Sequence, residues 1–208
     1  MPIDPASRSF SVQGPALQCS ENGSLLSVQS SRVAFVFDKS TGLVTSYKVK
    51  GTEYFHEGFG IQPNFWRAPN DNDYGSQMPK RLQIWKQSSK NFNVVDASLV
   101  MDGKDAVLKV SYLLAAGNLY IATYRIHPSG VVKANYTFTS TEMEAAKTEA
   151  SEATLMATFT PGNEAIRKES SKLVVPRIGV RFRLPAEMEQ VTYFGRGPEE
   201  NYCDRNNG

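Results

Sequence analysis

Apolar and polar residues alternate with a period of two along most of this chain. In DAVLKVSYLLA, Ala106, Leu108, Val110, Tyr112 and Leu114 form one set, while Lys109 and Ser111 fall in the other. Tyr120, Ala122, Tyr124 and Ile126 repeat the pattern. In VVKANYTFT, Val132, Ala134, Tyr136 and Phe138 alternate with Val131, Lys133, Asn135, Thr137 and Thr139. In IGVRFRL, Ile178, Val180, Phe182 and Leu184 oppose Arg181 and Arg183. Successive side chains of a strand point to opposite faces, so each run predicts a half-buried strand with one wet face. A wet face implies antiparallel sheets, because parallel sheets are covered on both sides. Turn residues fall between the runs: DKSTG from Asp38 to Gly42, MDGKD near Asp102, AAGN, and HPSG at His127.

One segment departs from this period. From Ser76 to Gln87 the spacing of Met78, Leu82 and Trp85 predicts one helical face, with Pro79 tolerated in the first turn. From Ser140 to Lys172 the alternation weakens, and TEMEAAKTEASEA reads as an insertion or an excursion between strands. The opening MPIDPASRSFSVQGP lacks a basic start followed by an apolar run, so it reads as a tail and not a signal peptide. The expected organisation is a tail over 1–19 and one domain over 20–208. The expected fold is all-β, a large antiparallel β-sandwich with one short helix.

Composition narrows the function classes. The chain has 208 residues, 40% hydrophobic and 21% charged, enough apolar mass for a core. Lys and Arg number 23 against 21 Asp and Glu, and a net charge of +2 gives no reason to expect nucleic acid or an anionic membrane as partner. No run approaches the roughly twenty apolar residues that span a bilayer. The basic KRLQIWKQSSK, Lys80 to Lys90, reads as a solvated helix face. Cys19 and Cys203 read as free thiols, and His56 and His127 as structural residues.

The chemistry-bearing residues concentrate in FWRAPNDNDYG, Phe65 to Gly75. A calcium loop fails there, because Gly75 stands where an oxygen ligand belongs and Leu82 where the bidentate Glu should be. Asp71 and Asp73 would lie about 7 Å apart if extended, within glycosidase range. Neighbours on one loop share one environment, however, whereas acid/base work needs two. Adjacent Glu199 and Glu200 make no better dyad. The remaining readings are a turn whose Asx side chains bond nearby backbone N–H groups, with Arg67 forking onto an aspartate, or a carbohydrate contact of aromatics and amides.

Two strings carry a specific resemblance. FWRAPNDNDYG, and GRGPEENYCDR at Gly195 to Arg205, resemble the paired signature of the C-terminal small-chain domain of glycoside hydrolase family 2 β-galactosidases. The hairpin DKSTGLVTSY and the YRIHPSG turn fit the same domain, from about Ser20 to the end. The resemblance implies a supersandwich like that of galactose mutarotase. It implies a catalytic (β/α)8 barrel and further domains elsewhere as partners, with the nucleophile and acid/base glutamates on that barrel. No residue of this chain is then catalytic, and no cofactor belongs to it, although parent enzymes often use Mg and Na in other domains. Arg67, Ala68, Pro69, Asp71, Asn72 and Asp73 match the first motif, with Asn70 at a variable position and Gly75 opening a loop beside the pocket mouth. Gly197, Pro198, Glu199 or Glu200, Asn201, Tyr202, Asp204 and Arg205 match the second, and Cys203 stands where proline is common. With Trp66, these read as scaffold and pocket-rim groups.

The expectation is therefore a non-catalytic domain of a β-galactosidase, its parent in the bacterial cytoplasm or periplasm. Closing strands are expected to be missing, which would favour self-association through unpaired edges. The rival is a free-standing carbohydrate-binding sandwich. An independent epimerase is disfavoured, because that chemistry wants a His/Glu pair in a cleft.

Overall fold

The structure is a computed structural model that describes residues 14–139 and 175–190. Strands β1 (Gln18–Asn22), β2 (Leu25–Gln29), β3 (Val33–Asp38), β4 (Leu43–Val49) and β5 (Thr52–Glu53) form a five-stranded antiparallel meander in chain order. After a short strand β6 (Gln62–Asn64) and a helical stretch come β7 (Phe92–Asp102), β8 (Asp105–Leu114), β9 (Leu119–Ile126) and β10 (Val132–Thr139). These make a second antiparallel sheet in the order β10-β9-β8-β7. A last strand, β11 (Gly179–Arg181), pairs antiparallel with β6. The first strand begins at Gln18, inside the stretch read as tail.

The two large sheets pack face to face, and the alternation explains why. Ala106, Leu108, Val110, Tyr112 and Leu114 of β8 are all buried, as are Tyr120, Ala122, Tyr124 and Ile126 of β9. Opposite them sit Leu26, Val28, Val33, Phe35, Phe37 and Val44. Phe35 and Tyr124 join the layers at a ring separation of 5.9 Å. The Tyr112 hydroxyl donates across the core to the Gly42 carbonyl at 3.1 Å, and burial holds that phenol protonated by pushing its pKa far up. Gly42 closes the β3–β4 turn at φ +70 with Phe92 Cε2 only 3.0 Å from where a Cβ would stand, so a side chain there is excluded twice. Thr45 is an extra residue opposite the β3 strand, which keeps Val44 on the buried face.

Glu53 organises the exit from the first sheet. Its Oε1 accepts from the backbone N–H groups of Tyr47, Tyr54 and Phe55 at 2.9, 3.0 and 3.0 Å, and Ser46 donates to Oε2. Partial burial alone would raise this carboxyl, but the four donors outweigh it and hold its pKa below the usual range.

The helix predicted over Ser76 to Gln87 is broken into two, α2 (Met78–Arg81) and α3 (Gln83–Ser88), and a further short helix, α1 (Asp71–Gly75), forms in the loop before it. Gln77 takes a left-handed conformation at φ 57, and Leu82 leaves helical geometry at φ −106, ψ 17, so no continuous ladder can form. Met78, Leu82 and Trp85 nevertheless share the buried face as the spacing predicted, while Lys80, Arg81, Lys86 and Lys90 face solvent. The stretch over 140–172 and the second motif fall outside the described residues.

Candidate functional site

The loop from Phe65 to Gly75 is fixed to the sandwich at its first residue. Phe65 is fully buried, with Tyr120 edge-on at 5.2 Å, Phe138 at 5.9 Å and Trp85 at 6.0 Å. Its backbone N–H donates to the Ser89 hydroxyl at 2.7 Å, and that hydroxyl donates on to the Trp85 carbonyl. Trp66 follows half-buried against the core, with the Lys86 ammonium 5.9 Å from its ring centroid. Trp66 is therefore part of the packing and is not a free platform for a ligand.

Beyond Trp66 the two carboxylates part, Asp73 turning inward and Asp71 outward. The Arg67 guanidinium forks onto Asp73, Nη1 to Oδ2 at 2.5 Å and Nη2 to Oδ1 at 2.6 Å. Asn70 caps α1: its Oδ1 accepts from the Asp73 N–H at 3.0 Å, and Asp73 Oδ2 accepts from the Asn70 N–H at 2.9 Å. The Ser76 hydroxyl donates to the Asp73 carbonyl. The Asn70 N–H first, and then the Arg67 guanidinium, hold the Asp73 carboxyl below the ordinary carboxylate range. Both of its oxygens accept hydrogen bonds from within the loop, so Asp73 serves as a structural carboxylate.

Asp71, Asn72, Tyr74 and Gly75 face outward from the same turn. The extended-strand spacing of the two aspartates does not apply, because α1 turns Asp73 into the loop and leaves Asp71 in solvent. Tyr74, 64% exposed, is the aromatic this loop offers to solvent. Periodicity missed it, because only the three-dimensional turn separates it from Trp66. Gly75 has ordinary backbone angles, and nothing lies within 4 Å of a Cβ placed there. We expect Gly75→Ala to shift the urea midpoint by no more than the equivalent of about 0.5 kcal/mol.

Glu199, Glu200, Asn201, Tyr202, Asp204 and Arg205 lie outside the described residues. Of the histidines, His127 belongs to a turn, its Nδ1 accepting the Ser129 N–H at 3.1 Å, and His56 stands in solvent beside Glu57. No group of three or more His, Cys, Asp or Glu converges as a metal site among the described residues. No described helix is long and apolar enough to cross a membrane.

The acid sensitivity of this arrangement follows from its sign. A carboxyl whose pKa is lower folded than unfolded contributes stability above the unfolded value and loses it as pH falls through the folded one. Asp73 and Glu53 both act in this direction. Acid titration followed by circular dichroism should show Asp73→Asn already weakened at neutral pH and losing less than the parent on acidification.

The family described as β-galactosidase small chain matches residues 29–208. This chain belongs to that family. The β-galactosidase of Priestia megaterium is 31% identical over 210 residues, covering 100% of this chain and 17% of that protein. The β-galactosidase of Lactococcus lactis subsp. lactis is 30% identical over 190 residues, covering 89% of this chain and 17% of its own length. That of Kluyveromyces lactis is 27% identical over 185 residues, covering 86% and 16%. The chain thus spans about a sixth of the length of these curated relatives. The small-chain match includes both motifs, and the described one is a loop tied by the Arg67–Asp73 fork and the Asn70 cap.

Proposed function

We propose that this chain is the non-catalytic small-chain domain of a β-galactosidase, a glycosidase acting on terminal β-galactosides. It braces a catalytic barrel and shapes the rim of the sugar pocket with Asp71, Asn72, Tyr74 and Gly75. The observation that carries this reading is the occupation of Asp73 by Arg67 and Asn70, which leaves this loop no inward acid or base for bond cleavage. The small-chain match supports the parent activity. In the whole enzyme two barrel carboxylates would act as nucleophile and acid/base, and this domain would hold the rim in register with them. The proposal assigns no cofactor to this chain.

The purified 208-residue chain should give no hydrolysis of a chromogenic galactoside, whereas the polypeptide carrying it alongside the barrel should turn over. Turnover by the chain alone, abolished by Asp71→Asn, would overturn the supporting role. The exposed Tyr74 beside Asp71 and Asn72 also favours a second reading, a carbohydrate-binding sandwich. Calorimetric titration with galactose and lactose separates the two: saturable heat lost in Tyr74→Ala selects the binding module.

A further inference from the structure

Four basic side chains stand out from one face of the helical stretch. Met78, Leu82 and Trp85 bury its other face, while Lys80 and Arg81 of α2, Lys86 of α3 and Lys90 just beyond it are exposed. From Tyr74 to Val95 the chain carries no Asp or Glu to answer them. None of the four makes an ion pair with a described residue, whereas Lys39, Arg67 and Arg125 each meet a carboxylate. Lys86 lies over the Trp66 ring, and Arg81 Nε donates to the Ser76 carbonyl at 3.0 Å. The face continues past α3, where the exposed Arg181 donates from Nη2 to the Ser89 carbonyl at 3.3 Å.

The same chain holds the opposite charge within reach. Residues 141–153 read TEMEAAKTEASEA, with Glu142, Glu144, Glu149 and Glu152 against Lys147. The described residues before this stretch end at Thr139, beside α3, because the ring of Phe138 in β10 lies 5.8 Å from that of Trp85. They resume at Val175, packed against the core, and come back to the same place. Tyr120, the ladder partner of Phe138, donates its hydroxyl to the Gly179 carbonyl at 3.5 Å, and Arg181 reaches Ser89 at the C-terminal cap of α3. Both ends of residues 140–174 are therefore fixed next to the basic face. A tether of this kind gives an effective concentration on the order of millimolar. Exposed ion pairs are individually weak, so several carboxylates, a cluster of cations and the tether have to act together.

We infer that the basic face of α2 and α3 is the docking surface for the acidic stretch of this same chain, Glu142 to Glu152. The carboxylates meet the ends of Lys80, Lys86 and Lys90, and Met78, Leu82 and Trp85 keep their places in the core. Helix α2 follows the Asp71–Gly75 turn almost at once, so the contact lies next to the proposed pocket rim. It stands whether or not that rim serves a sugar pocket.

The test couples carboxylates to amines with a carbodiimide, which joins them by a direct amide bond, in the complete polypeptide with its native sequence. Mixing unlabelled with isotopically labelled protein separates links within one copy from links between copies. Peptide mapping should find Lys80, Lys86 or Lys90 joined to Glu142, Glu144, Glu149 or Glu152 within one copy, several-fold above Lys133. Lys133 is the control, because it is exposed on β10 and nearer in sequence to the stretch, so tethering alone favours it. The links should fall several-fold in 1 M sodium chloride, where the Debye length is about 3 Å. A yield at the helical lysines no higher than at Lys133, links mainly to other carboxylates or between copies, or links that 1 M salt leaves unchanged would each overturn the inference.

Discussion

Replacing Gly60 by alanine should cost about 3 kcal/mol or more and lower the urea midpoint further than any exposed substitution. A Cβ at this position would stand 1.6 Å from the Val44 carbonyl oxygen and 2.7 Å from its carbon, with Phe55 Cδ2 at 3.0 Å. Two of those neighbours are backbone atoms of β4, held by its ladder with β3, and they cannot swing aside as a flexible side chain would. Relief has to come from lifting the Phe55–Ile61 crossing off the sheet. That crossing carries the His56 and Phe59 bonds to Arg183, and β6 begins just after it at Gln62. The damage therefore spreads to the β6–β11 pair. Hydrogen exchange should report it as lost protection at both Val180 and Gln62, while Tyr112 and Tyr124 stay protected. A midpoint equal to that of Gly75→Ala would refute this account of the crossing.

The strands that were legible in the sequence are those whose two faces meet different media. Leu108 and Tyr124 alternate with residues at the wet face, so period two marks them directly. Turns were legible for a similar reason, since DKSTG, MDGKD, AAGN and HPSG supply the chemistry that tight reversals need. Alternation says less where both faces stay partly open. At β11 Val180 and Leu184 are half-buried and Phe182 reaches Phe55, while the exposed Arg181 and Arg183 still find Gln62, Ser89 and Phe59. The helical stretch failed differently. Its buried positions were right, but a sequence period does not register the departure at Leu82 that divides it, nor the left-handed Gln77 that delays its start. At the site, the residue types allowed Arg67 to fork onto an aspartate without saying which. The capping geometry chooses Asp73, because Asn70 and Asp73 stand three apart across the first turn of α1.

Phe65→Ala should destabilise the protein by about 3–5 kcal/mol, the range for emptying a fully buried aromatic site. Phe65 is the joint between the motif and the sandwich: three rings, from β9, β10 and α3, close around it, and its N–H is tied to Ser89. Phe65→Leu should recover a large part of the loss, because most of the volume returns. Asp73→Asn provides the contrast. It weakens the fork to Arg67 and so loosens the shape of the loop, yet the rings around Phe65 remain packed. Exchange at Asp71–Gly75 should therefore rise in Asp73→Asn, with protection of β8 and β9 unchanged. In Phe65→Ala, protection should fall in the loop and in both strands together. Placement of the rim and its internal shape would then be separable properties: one set by a buried ring at the first residue of the motif, the other by an ion pair eight residues further on. If Phe65→Ala loosened the loop and spared β9, the motif would be a surface appendage, and the sandwich could not hold a pocket rim in register.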